Sequence, residues 1–600
     1  MKKIISVIAV ALFAASCGSN KDSIQKEVQQ YLDSYNQKYK ELYTASSEGQ
    51  WKVNTHIVKG DTMNAYNSRI ADEAMAKFTG SKENIDKATE LLKSEKDLTP
   101  LQVKQLKKIL FLAAGNPESV EGVVKERIKA ETAQTEKLYG FKFSIDGKEV
   151  TPNNIDSILS TSKDLGARKK AWEASKEVGD SLKEGLVHLR ELRNKVVQAL
   201  GYKDFFSYQV SEYGMTTEEM MDVLNKFNKE LNPLFRELHT YARYELAKKF
   251  GQKEVPDYIP AHWLSNRWAQ DWSDMITVEG LNLDSSLKTK NEEWFPKQAE
   301  RFYVSIGFES LPKSFWDKSS LYPVAKDAGF KKNTHASAWH IDLEKDVRSL
   351  MSIEPDSKWY ETVHHEFGHI YYYLTYSNPD VPYLMREGAN RAYHEALGSM
   401  MGLAAMQKPF AANLGLIDGN AKTDSIKQLL KDALHYVVFI PWSAGTMSVF
   451  EKELYANNLP PDQFNKRWWE IAKQYQGIVP PSERGEQYCD AASKTHINDD
   501  PAQYYDYALS FILLFQVHDY ISKNILHQDP HATNYFGNKE VGKFIQDIMR
   551  PGGSGDWRKL LKDKTGEDLS ARAMLEYFKP LMEWLKKENA GRKYTLPEMN

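Results

Sequence analysis

Apolar residues recur every three or four positions along much of this 600-residue chain, and that spacing constrains its fold more than any other feature. Ile24, Val28, Tyr31, Tyr35, Tyr39, Leu42 and Tyr43 mark one face of a first helix, with Asp22 and Gln25 placed as a capping pair. The same spacing runs through residues 85–112, 165–200 and 217–250. Strand-like alternation is scarce. Its best case is 336–343 and 347–353, joined by the polar turn 344–346, which predicts a short hairpin. The length would allow two to four domains. There is nevertheless no internal repeat, no low-complexity block and no Pro-, Gly- or Ser-rich linker after residue 22, so the expectation is one large, mainly α unit. A formal net charge of -3 gives no electrostatic case for nucleic acid or an anionic membrane surface.

The first residues carry an address. Lys2 and Lys3 precede an apolar run over 4–15, too short for a comfortable membrane span and shaped like a signal-peptide core. Ala14, Ala15 and Ser16 lead into Cys17, as at a bacterial lipoprotein processing site. The expected organisation is a signal peptide over 1–16, a lipid-anchor linker over 17–22 and a folded domain over 23–600. The protein would then be exported and held to a bacterial membrane only by a lipid on Cys17. Cys489 would remain as the only other thiol, which excludes an internal disulfide.

The segment His364-His365-Glu366-Phe367-Gly368-His369 contains HExxH. On a helix His365 and His369 share a face and can present nitrogens to one ion. Glu366 lies about 100° around the helix, within reach of a water at that ion, where a general base is needed. A third protein ligand is expected, and Arg386–Gly398 offers Glu387, His394 and Glu395. Glu395 is favoured because it falls inside a helix opening near Asn390. His364 points away from the ion and reads as a packing residue. His527 and His531 read as a loop rather than a metal tract.

These motifs together resemble the angiotensin-converting enzyme family of zinc peptidyl-dipeptidases. The resemblance is carried by HHEFGH, by REGAN and HEALG over 386–398, and by Trp268-Ala269-Gln270-Asp271-Trp272 and His335-Ala336-Ser337-Ala338-Trp339. Tyr475-Gln476-Gly477, Lys494-Thr495-His496 and the segment 573–580 follow in the family's order. It implies one zinc ion per chain on His365, His369 and Glu395, with Glu366 as base and proton shuttle. It implies His496 and Tyr507 as partners of the tetrahedral intermediate, and His335 and Ala336 as holders of the substrate backbone. It implies Gln270, Lys494 and Tyr504 as the grip on a free C-terminal carboxylate, with Tyr505 the rival of Tyr504 because one residue is inserted there. In the family's carboxypeptidase branch an arginine replaces this glutamine, so Gln270 points to dipeptide release from peptides with a free C-terminus. The implied architecture is a single helical catalytic domain of two lobes around a deep cleft, with a small hairpin beside the zinc and helices near 23–110 as a lid.

The chemistry suits those assignments: hydrolysis needs a Lewis acid, a base, and donors at the oxyanion, here a tyrosine hydroxyl and an imidazolium. The chain also departs from the family. Cysteines that flank the hairpin in vertebrate members are absent. Arginines that bind activating chloride align with Ala472 and Asp506, so little chloride dependence is expected. The aspartate one turn beyond the glutamate ligand is Ser399, so another group must orient a zinc-bound histidine. Two other functions compete: a zinc oligopeptidase that cuts internally, and a surface binding protein without turnover.

Overall fold

The computed structural model describes side chains over residues 21–599, except 59–61, 279–282, 326 and 334. The leader, its cleavage site and Cys17 lie outside the described residues. The fold is mainly α, as the apolar spacing predicts. The elements that position the site are α1 (Lys2–Thr55), α2 (Leu165–Gln198), α3 (Thr217–Lys249), the hairpin strands β1 (Ser337–His340) and β2 (Val347–Leu350), α4 (Ser357–Tyr376), α5 (Arg391–Met406), α6 (Ser425–Ile440) and α7 (Tyr505–Tyr520).

Helix starts follow local chemistry. Thr216 and Glu219 form a reciprocal capping box at the head of α3, and Asp164 accepts from the Gly166 amide at the head of α2. The expected hairpin is present, antiparallel, with Ser337 opposite Leu350 and His340 opposite Val347. A second hairpin pairs Phe143–Ile145 with Lys148–Val150. Its turn is Asp146-Gly147, both at positive φ (52° and 77°). Asp-Gly between short alternating runs is the strongest local hairpin signal, and helical spacing on both sides masked it.

Two large cores and a small cluster of Trp51, Ile341 and Leu350 make up the apolar interior of the described residues. The larger joins α2 to α7 through fully buried Trp172, Leu182, Leu224, Phe367, Met400, Leu434 and Ile512. Phe367 alone, edge-on to Phe315, is worth about 3–5 kcal/mol against truncation to alanine. The smaller of the two cores packs Val28, Leu32 and Tyr35 of α1 on Leu91, Leu106 and Ile109, and closes on Val381, Leu384 and Met385. The tyrosine stripe of α1 therefore splits. Tyr35 is core, while Tyr43, the last of the stripe, faces a cavity of about 850 Å³ together with Ser46, Ser47 and Gln50. The end of α1 docks on the hairpin, Trp51 edge-on to Trp339 at 5.6 Å. The cleft is thus walled by α1 and the hairpin on one side and by α4, α5 and the head of α7 on the other.

Candidate metal centre and active site

Two helices bring the presumptive ligands together. Asp356 caps α4 by accepting from the Trp359 amide, and Asn390 caps α5 by accepting from that of Tyr393. The helices meet at glycines. A Cβ on Gly368 would lie 2.8 Å from Cα of Gly398, and one on Gly398 would lie 3.2 Å from the His365 ring. This close approach sets Glu395 against the histidines. His365 Nε2 and His369 Nε2 are 3.0 Å apart, and His365 Nε2 is 3.8 Å from Glu395 Oε2. One ligand atom from each of the three lies within 4.8 Å of the other two.

These separations bracket the roughly 3.3 Å edge of a tetrahedral zinc site with N and O ligands. Burial holds both imidazoles well below their ordinary pKa, at about 4, so they are neutral and carry lone pairs. The donor set fits zinc. Of the rival ligands, Glu387 is committed to Lys108 at 2.8 Å. His394 turns its Nδ1 to that of His369 at 3.2 Å, under the ring of Tyr372. It meets the outer nitrogen of a candidate ligand, the place where an orienting partner belongs. Ser399 does the same for His365, its hydroxyl 3.4 Å from Nδ1. The missing aspartate is thus replaced by two neutral groups. His394, weighed in the sequence only as a ligand, stands one residue before Glu395 and so faces outward from it. His364 is fully buried, with Nδ1 2.7 Å from the Tyr360 carbonyl and no place in the cluster.

Glu366 is 7% exposed, and its Oε2 has no hydrogen-bond partner among the described residues. Burial, and next the charge of Glu395, push its carboxyl up to about 8. Glu366 Oε2 is itself buried, and the residue lines the cavity together with Tyr507. Tyr507 Oη lies 3.5 Å from His496 Nε2. One expectation is corrected here. Burial, followed by the neighbouring Lys494 charge, holds His496 down at about 3, so it is a neutral imidazole rather than an imidazolium. It can still donate one N–H.

Gln270 converges with Lys494 and Tyr504 from a distant segment. Lys494 Nζ donates to Gln270 Oε1 at 2.8 Å, and Tyr504 Oη donates to the same oxygen at 3.4 Å. Tyr505, the rival, instead packs edge-on to Phe206 and Tyr213. Ala269, just before Gln270, adopts φ 55°, a left-handed conformation costly for a residue with a Cβ. Its carbonyl accepts from the Trp272 indole (2.9 Å) and from Gln476 (3.0 Å), which hold the turn that presents Gln270. Lys494 is 4% exposed and, among the described residues, makes no ion pair with a carboxylate. Burial, followed by the Arg267 charge, lowers its ammonium to about 7. Its ammonium stands 4.5 Å over the Trp268 ring, a contact the sequence did not single out.

His335 and Ala336 line the same cleft just before β1, which among the described residues pairs with β2 alone. On β1 the Ala338 carbonyl accepts from Tyr373 Oη at 3.3 Å, and the rest of that edge is available to an extended peptide. Ala472 is buried and unremarkable. Asp506 is not. It is 1% exposed, accepts from Tyr213 Oη at 2.6 Å and faces Arg391 Nε at 3.4 Å. Arg391 in turn grips Asp500 with two hydrogen bonds, at 3.0 and 2.6 Å.

Comparison with known proteins finds relatives along nearly the whole chain. The family model described as angiotensin-converting enzyme, a peptidase family, matches residues 22–596. The chain is 29% identical to the angiotensin-converting enzyme of Mus musculus over 97% of its own length and 45% of that protein's. It is 32% identical to that of Bos taurus over 72% of its own length and 34% of that protein's. It is 28% identical to that of Theromyzon tessulatum, over 94% and 92% respectively. The chain therefore spans less than half the length of the mammalian relatives it matches. On the match of the family model to nearly the whole chain, the protein belongs to the angiotensin-converting enzyme family.

Proposed function

We propose that the protein is a zinc metallopeptidase that releases dipeptides from the free C-terminus of peptides. The observation that carries this reading is the buried Lys494 ammonium, which has no carboxylate of its own, beside Gln270 and Tyr504. A charge so desolvated is costly unless an anion completes it. A peptide C-terminus supplies that anion.

His365, His369 and Glu395 would hold the zinc, which when bound supplies a Lewis acid that polarises the scissile carbonyl. Glu366 takes a proton from the attacking water and returns it to the leaving amine. Tyr507 donates to the developing oxyanion, with neutral His496 beside it. Ala336 and His335 hold the substrate along the β1 edge. Lys494, Gln270 and Tyr504 fix the C-terminal carboxylate about 7 Å, or two residues, beyond the cut. The volume behind α1 suits an unfolded peptide and excludes a folded protein.

A defined peptide, with and without a C-terminal amide, tests this by mass spectrometry of the products. The free acid should lose two-residue units, the amide should resist, and Glu366→Ala should abolish release. Single-residue loss or equal internal cleavage of both forms would overturn the reading, and zinc binding without turnover would favour a binding protein.

We also propose export and lipid anchoring through Cys17, supported by the basic, apolar and small-residue order of 2–17. Metabolic labelling with palmitate should mark the wild-type chain and not Cys17→Ser; equal labelling, or none in either, would reject the anchor.

A further inference from the structure

A second cavity, of about 640 Å³, shares His335, Ala336, His365 and Glu366 with the catalytic cleft and runs between α4, α5, α6 and α7. Trp359, Tyr436 and Phe511 give it aromatic walls, and Glu361 lines it one turn before His365. Gly402 on α5 makes room for the Glu361 stem, since a Cβ there would lie 3.2 Å from Glu361 Cγ. The Glu361 carboxylate accepts no hydrogen bond and joins no ion pair among the described residues. Burial raises its pKa, opposed by His435 and Lys431.

The charges around it are unequal. His435 also faces the cavity, but its imidazole is bound to Asp271 at 2.8 Å. Asp432, on α6, is a further carboxylate close enough to interact with both Glu361 and His435. Lys358 lines the mouth of the cavity but is exposed to solvent, as is Lys431. The lining itself carries the carboxylates of Glu361 and Glu366 and the imidazoles of His335, His365 and His435, with Asp271 and Asp432 behind His435 and Glu361. Asp271 follows Gln270 directly, which puts the cavity on the side of the cut that leaves with the C-terminus.

An aromatic sleeve that ends on an unpaired carboxylate complements a side chain with an apolar stem and a cationic head. We propose that this cavity is a subsite for a lysine or arginine side chain of the released dipeptide, with Glu361 as its specificity-determining group. The proposal rests on the dipeptide-release reading. A neutral side chain leaves Glu361 buried against aromatic rings without a partner, and an acidic one meets like charge.

The test uses the zinc-loaded enzyme and N-blocked peptides that differ only in the last two residues: Leu-Leu, Lys-Leu, Leu-Lys, Glu-Leu and Leu-Glu. Lysine at one of the two positions should raise kcat/KM about tenfold over leucine, and glutamate there should lower it. Glu361→Gln should bring the lysine-to-leucine ratio to about one, and Glu361→Lys should reverse the preference towards glutamate. Equal rates for lysine and leucine at both positions, or a ratio unchanged in both variants, would overturn the subsite. Products other than dipeptides would reject the dipeptide-release reading, while the lysine-to-leucine ratio would still report on the pocket.

Discussion

The candidate metal centre and the carboxylate grip sit in one cleft but are built in opposite ways. The metal centre comes from two consecutive helices, with every candidate ligand between His365 and Glu395 and the helices locked at Gly368 and Gly398. The grip joins Gln270 to Lys494 and Tyr504 across a long stretch of sequence, around the left-handed Ala269 and beside the half-buried Trp268. Periodicity and spacing encode the first. Tertiary packing creates the second, because only burial turns an ordinary lysine into a strong anion receptor.

That contrast predicts different failures. Glu366→Gln keeps the ligand set but removes the base, so kcat should fall by about 10²–10⁴ while zinc content stays stoichiometric with wild type. Lys494→Met leaves the metal end intact. It should cost about 2–3 kcal/mol, roughly 10²-fold in kcat/KM on free-acid peptides, and leave the slow cleavage of amidated peptides unchanged. Steady-state kinetics on both peptide forms, with zinc assayed alongside, checks the pair. A Lys494 variant that loses both activities equally would make the grip a structural feature only.

The same lysine sharpens the comparison through pH. With its ammonium lowered to about 7 by burial, Lys494 is charged below that pH and neutral above it. Affinity for free-acid peptides should therefore weaken as pH rises through 7, up to about tenfold per unit. In Lys494→Met that slope should vanish, which separates it from any titration at the metal end.

Legibility in the sequence follows the same divide. The helical class, the β1–β2 hairpin and the shared face of His365 and His369 depend on local spacing, which a sequence displays directly. The separate core of α1 with Leu91, Leu106 and Ile109 does not show, because periodicity says which face is apolar but not what covers it. The neutral state of His496 and the orphaned carboxylate of Glu361 are equally hidden, since burial and neighbours from other helices decide both. His394 was visible, but its role needed the 3.2 Å approach to His369. Gln270, Lys494 and Tyr504 were picked out by family resemblance alone, and the fold then showed them meeting.

The smallest effect expected concerns anions. Asp506 stands where the resemblance places a chloride-binding arginine of the family. Here a carboxylate is built in: Asp506 accepts from Tyr213 and faces Arg391, whose remaining donors hold Asp500. Arg391 lies 6.0 Å from the Tyr507 ring, so this network backs the proposed oxyanion donor. With Arg391 already flanked by two carboxylates, an added halide meets repulsion rather than an empty cationic site. Exchange of chloride for a larger, poorly bound anion at constant ionic strength should then change kcat/KM by no more than about twofold, because general screening is held fixed. A several-fold rise with chloride would show that Asp506 does not fill the anion's place, and that Arg391 remains open to a soluble partner.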